Sequence, residues 1–182
     1  MPQGAAASPN GRELAVVESG FNPATLRLYD SQTLREIASI SLAGAFGRPL
    51  WLDARHLLVA GANAQALLDV DSVKRTVKRI PLHARTFPVA IARSGDRIAV
   101  ATDDDGAVRI GTLRSVANAS PVHVGAHPGD LAFSPDGKTL FASDRAGSSV
   151  KVIDVPSLHV QTLQTGLHPS DLLVVGDRLY VA

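Results

Sequence analysis

Chemistry in this chain has to come from a small set of side chains, and two histidines are the best matched among them. His127 and His168 each stand directly before a proline, Pro128 and Pro169. Two imidazoles gathered from equivalent loops could ligate copper or haem iron, both of which accept ring nitrogens. Asp103-Asp104-Asp105-Gly106 offers carboxylate oxygens to calcium. A calcium loop needs about six to eight oxygens at ordered spacings, and no glutamate follows this run. Asp-Gly is also a favoured hairpin turn, and the run reads as one. Lys74, Arg75, Lys78 and Arg79 form a basic cluster with no interleaved aromatics. It reads as a solvated strand edge, not as a nucleic-acid surface. Asp30, Asp71 and Asp154 stand where strands end and are assigned to turn bonds with the backbone. No nucleophile elbow, zincin, P-loop or dinucleotide fingerprint is present.

The elements that must position these residues come from a repeat. The segment Leu131–Phe133 is a short apolar run, Ser134-Pro135-Asp136-Gly137 is a turn, and Leu140-Phe141-Ala142 returns as a strand. Val150-Lys151-Val152-Ile153 then alternates as a third strand that ends at Asp154. The second of these strands recurs at Leu14, Leu57, Ile98, Leu140 and Leu179, with steps of 43, 41, 42 and 39 residues. A proline marks the first strand of each later unit, at Pro49, Pro88, Pro128 and Pro169. A period near forty with four short strands per unit is the signature of a β-propeller blade. The fold class is therefore all-β, a propeller of four-stranded antiparallel blades. The units run approximately 1–46, 47–85, 86–125, 126–167 and a partial 168–182, forming one domain or part of one.

Composition narrows the partners. The 182 residues suffice for one sizeable core. A net charge of +1 builds no field for nucleic acid or for an anionic membrane. The absence of cysteine excludes disulfides and thiolate metal sites. No apolar run approaches the ~18 residues of a membrane helix, and the opening MPQGAAASPNG has neither the basic nor the apolar region of a signal peptide. Dividing the length by the period gives roughly 4.3 blades, where propellers close with four to eight. The expectation is a piece of a seven- or eight-bladed propeller. The alternatives are a closed four-bladed ring and a ring completed by two chains. Open blade edges would then invite self-association.

The stretch GAHPGDLAFSPDGKTLFASDRAGSSVKVIDV resembles the YVTN-type β-propeller repeat, and Leu179-Tyr180-Val181-Ala182 is close to its name-giving tetrapeptide. The likeness covers almost the whole chain but is sharp only around Asp136. Asp53-Ala54-Arg55, Ser94-Gly95-Asp96 and Gly176-Asp177 replace the SPDG turn in other units. What the resemblance implies is a bacterial protein of the periplasm or the exterior. Related propellers in nitrous-oxide reductase and in the haem d1 domain of nitrite reductase use channel histidines as ligands, and others of lactonase type are hydrolases.

A propeller gathers two classes of loop at one channel mouth, a common place for ligands. Arg48, His83, Arg85, His127 and His168 fall in the loops from fourth to first strand. Asn22, Asn63, Asp103, Asp104, Asp105 and Arg145 fall in those from second to third. The reading that follows is a non-catalytic scaffold binding a protein, peptide or small ligand through Arg48, Arg85, His127, His168, Asn63, Asp103 and Arg145. No cofactor is expected under that reading, and no nucleic acid or membrane insertion. The alternatives are haem or copper held by His127 and His168, and a lactonase-like hydrolase for which Glu18 and Arg48 are the candidates.

Overall fold

The computed structural model describes residues 1–82 and 86–182. His83 and Arg85 lie outside the described residues. The first sheet holds β1 (Pro2–Ala7), β2 (Glu13–Glu18), β3 (Thr25–Asp30) and β4 (Glu36–Ser41), paired in that order. The second holds β5 (Phe46–Trp51), β6 (His56–Gly61), β7 (Ala66–Asp71) and β8 (Thr76–Pro81). The third holds β9 (Pro88–Ser94), β10 (Arg97–Thr102), β11 (Ala107–Thr112) and the short β12 (Val122–His123). The fourth holds β13 (Pro128–Phe133), β14 (Thr139–Asp144), β15 (Ser149–Asp154) and β16 (Val160–Gln164), and β17 (Leu172–Val175) pairs with β18 (Arg178–Val181). Every described pairing is antiparallel between sequence neighbours. Among the described residues the only helical element is a 3-10 turn at Val116–Asn118. It takes up chain before β12, where the sequence suggested a degenerate fourth strand over 121–124.

Two compact units result, residues 1–88 and 89–182. In the first, alternate residues of β2 and β3 (Ala15, Val17, Leu26, Leu28) pack with Leu57, Val59, Leu68 and Val70 of the next sheet. Each such leucine or valine contributes about 1.5–3 kcal/mol by leaving water. Trp51 closes this core, and its indole Nε1 donates to the Ala6 carbonyl at 3.1 Å. β1 approaches β5 so closely that a Cβ on Gly4 would come within 2.7 Å of the Arg48 Cα, so the strand order requires glycine there. In the second unit Ile98, Leu140 and Ile153 are wholly buried. There the buried Asp130 carboxylate accepts the Leu172 N–H at 3.0 Å through Oδ2 and ties β13 to β17.

The aspartates that end third strands form one recurring turn. Asp30 Oδ1 accepts from the backbone of Gln32 and Thr33 at 3.1 and 2.7 Å. Asp71 Oδ1 does the same for Val73 and Lys74 at 3.1 and 2.9 Å, and Asp154 Oδ2 accepts from Ser157 N at 3.0 Å. Four residues after each aspartate the chain turns left-handed, at Leu34 (φ 55), Arg75 (φ 57) and Leu158 (φ 59). That conformation costs an L-residue about 1–2 kcal/mol, which the carboxylate's hydrogen bonds to the turn offset. Asp30, Asp71 and Asp154 are turn locks, as their position in the repeat suggested.

Two markers land differently from the sequence reading. Pro49 does not open its strand but sits inside β5, where the register jumps from Phe46↔Ala60 to Leu50↔Leu58. The unpaired residues of this bulge need no N–H, which is why proline is accommodated there. Pro169 precedes β17 by three residues.

Candidate ligand-binding face

In the second unit, the loops from second to third strand and from fourth to first strand come together at one end of the sheets. His127, just before β13, places Nδ1 3.1 Å from Oδ1 of Asp103 in the β10–β11 turn. The His127 carbonyl accepts the N–H of Arg145, in the β14–β15 turn, at 3.1 Å. The Arg145 carbonyl lies 3.2 Å from His168 Nδ1, in the loop before β17. Asp103, His127, Arg145 and His168 thus form one continuous rail, drawn from four separate loops. Both histidines are exposed, Arg145 and Asp103 are half-buried, and His168 is itself held left-handed at φ 56.

The partners dictate the imidazole tautomers. Carboxylate and carbonyl oxygens only accept, so each Nδ1 carries the proton and each neutral ring keeps its lone pair on Nε2. Anchoring of one ring nitrogen by a carboxylate or a backbone carbonyl is also the arrangement that orients metal-binding histidines. The sequence alone showed no such supporting partner.

Beneath the rail lies a network that sequence reasoning missed. Arg109 of β11 is buried, and its Nη2 bonds Asp105 Oδ2 at 2.6 Å while its Nη1 donates to Thr102 Oγ1 at 2.8 Å. Burial alone would raise the Asp105 carboxyl. The hydrogen bonds from Arg109 and Thr102 outweigh it and hold the group below the usual carboxylate range. This fixes the turn 102–107 and therefore the place of Asp103. The run Asp103-Asp104-Asp105-Gly106 is a locked hairpin turn, with Gly106 at φ 58. The signal that could have revealed it is a basic residue at the inward register of a third strand, seven residues after a threonine.

Arg48, Asn63, Asn22 and Glu18 belong to the first unit. Arg48 is not in a loop, as expected from sequence, but in the bulge of β5, because that strand begins at Phe46. Asn63 is exposed in the β6–β7 turn, packed beside Gly44, and Asn22 is exposed before β3. Glu18 is committed to Arg27 at 2.7 Å, and Arg27 also binds Glu36 at 2.7 Å. The basic cluster lies on and beside β8, at the outer edge of its sheet, with Lys78 and Arg79 exposed. Next to it a cavity of about 230 Å³ is lined by His56, Asp69, Asp71 and Lys78. Arg55 clamps Asp71 through two contacts of 2.9 and 2.6 Å and drives that carboxyl far below its ordinary range. Among the described residues no group of three or more histidine, aspartate or glutamate side chains could hold a metal ion. None of the described helices is long and apolar enough to cross a membrane.

No family model matches the chain, and no curated protein matches it. Solved structures do. Kuenenia stuttgartiensis hydrazine synthase superposes with a TM-score of 0.69 at 22% identity, over 94% of this chain and 51% of that one. A streptogramin B lyase gives 0.77 at 12% identity over 94% and 58%. The β-propeller domain of Cps50 (Swd1) from Myceliophteria thermophila gives 0.68 at 16% identity over 90% and 58%. The chain spans little more than half the length of these structures. At such identities the likeness establishes the fold, a β-propeller, and nothing finer.

Proposed function

We propose that the protein is a binding scaffold whose ligand, a peptide or small molecule, docks on the Asp103–His127–Arg145–His168 rail. The supporting observation is the rail itself: four predicted residues from four loops share one end of the second unit. Among the described residues the Arg145 guanidinium has no hydrogen bond or ion pair, and both Nε2 atoms are left for an incoming donor. An uncommitted guanidinium supplies a forked contact for a carboxylate, and the imidazoles supply acceptors beside it. The tests are peptide selections against the whole chain, counter-selected with a His127→Ala/Arg145→Ala/His168→Ala variant. Sequences enriched on the parent and lost on the variant support the reading. Enrichment indifferent to the variant overturns it.

The tautomers favour a second reading, in which the Nε2 atoms of His127 and His168 ligate copper or haem iron. The donor set is of the right kind, two neutral imidazoles each oriented from behind. A bound metal would supply redox chemistry, and Asp103 and the Arg145 carbonyl would hold the rings in place for it. Titration with copper(II) or haemin, followed by electron paramagnetic resonance or the haem absorption band, checks this. A stoichiometric nitrogen-ligated signal abolished in His127→Ala and in His168→Ala is the expected result. Its absence from the parent protein removes the reading.

A further inference from the structure

We infer that a second site, at the opposite end of β14 from the rail, binds a free amino acid with an apolar side chain. The cleft lies between the Ser134–Gly137 turn and the β17–β18 hairpin and encloses about 330 Å³. That is the low end of the range for small-molecule pockets, roughly 300–1,000 Å³. Phe141, Val174 and Leu179 supply apolar surface within it. Asp136, Asp177 and Arg178 supply charge to the same lining.

The charges suit a zwitterion. Among the described residues neither the Asp177 carboxylate nor the Arg178 guanidinium is engaged in a hydrogen bond or ion pair. Asp136 spends Oδ1 on Ser134 Oγ at 2.7 Å and on the Lys138 N–H at 3.0 Å, which leaves Oδ2 available. The Ser134 hydroxyl and the Lys138 amide also hold this carboxyl below its usual range, so it stays charged well into acid. An ammonium group therefore meets Asp136 and Asp177, a carboxylate meets the Arg178 fork, and a branched or aromatic side chain covers Phe141. A ligand with only one of the two charges leaves a lining group of the other sign unanswered.

Nuclear magnetic resonance titration of the whole chain with L-leucine tests this. Isocaproate lacks the ammonium group, isoamylamine lacks the carboxylate, and glycine lacks the side chain. The expected result is saturable shifts at Phe141, Val174 and Leu179 with leucine, and affinities lower by about tenfold or more for each analogue, the worth of a charge-assisted hydrogen bond for the two singly charged ones and of a buried apolar side chain for glycine. Arg178→Met should reduce leucine to the affinity of isoamylamine, and Asp177→Asn should weaken leucine while sparing isocaproate. Both side chains are exposed, so neither change threatens folding. No saturable shift with leucine, isocaproate binding as tightly as leucine, or an Arg178→Met variant with unchanged leucine affinity would each overturn the assignment. Failure here leaves the rail reading untouched, since the two sites share no residue.

Discussion

Asp103 and His127 meet at 3.1 Å across two loops that are 24 residues apart in the chain. The contact holds the imidazole proton on Nδ1. Asp103→Ala should release it, and the His127 ring should drift towards the tautomer mixture of a free imidazole. Long-range nitrogen–proton correlation spectra read this directly. His168, anchored by the Arg145 carbonyl, should be unaffected in the same spectra. An unchanged His127 tautomer would show that the contact does not govern the ring.

Arg109 is expected to be the most costly charge to remove from the second unit. Arg109→Met takes the ion-pair partner from the Asp105 carboxylate, at a cost of about 2–3 kcal/mol, while the Thr102 hydroxyl keeps its bond to the Ala107 carbonyl. The double variant Arg109→Met/Asp105→Leu should recover part of it, because no unpaired charge remains. Urea unfolding of the three proteins measures both numbers.

Gly125 has φ 126, and a Cβ on it would fall 2.0 Å from Oδ2 of the buried Asp144. Gly125→Ala thus combines backbone strain with a collision and should cost about 3 kcal/mol. Gly166 has open space around its Cα. Gly166→Ala should be neutral or stabilise by about 0.5 kcal/mol. Thermal melts of the pair separate the two cases.

Acid should unfold the protein through its locked aspartates. The Arg55 guanidinium lowers Asp71, the Thr33 amide and hydroxyl lower Asp30, and Ser157 lowers Asp154. A folded-state value below the unfolded value of about 3.9 means that the folded state binds protons less readily. The stabilisation is complete above that value and is lost as pH falls through the folded values beneath it. The midpoint temperature should therefore hold steady down to about pH 5 and drop steeply below 4. Arg55→Met should make the drop shallower. A variant with the parent's slope would show that the Arg55–Asp71 pair is silent in the transition.

The strands were legible in the sequence because each is bracketed by a turn with its own chemistry. Glu13–Glu18, Thr25–Asp30, Arg97–Thr102 and Ala107–Thr112 lie where alternation and turn residues place them. Proline was a weaker guide. At Pro49 it marks a bulge, because a missing N–H is as acceptable within an irregular pair as at a strand start. Loop membership brought His127, Arg145, His168 and Asp103 to one end of the second unit, as the repeat suggested. What alternation cannot show is a buried ion pair. Arg109 is a charged residue on a strand, which a pattern assigns to solvent, and only its contacts with Asp105 and Thr102 reveal that it faces inward.

The links of the rail from His127 to Arg145 to His168 run through main-chain atoms at Arg145, an amide that donates and a carbonyl that accepts. The identity of that side chain is therefore decoupled from the geometry of its neighbours. Substitution at position 145 can change what is recognised without disturbing how the loops are held. A socket of this kind lets selection exchange one specificity for another in single steps, each passing through a folded protein.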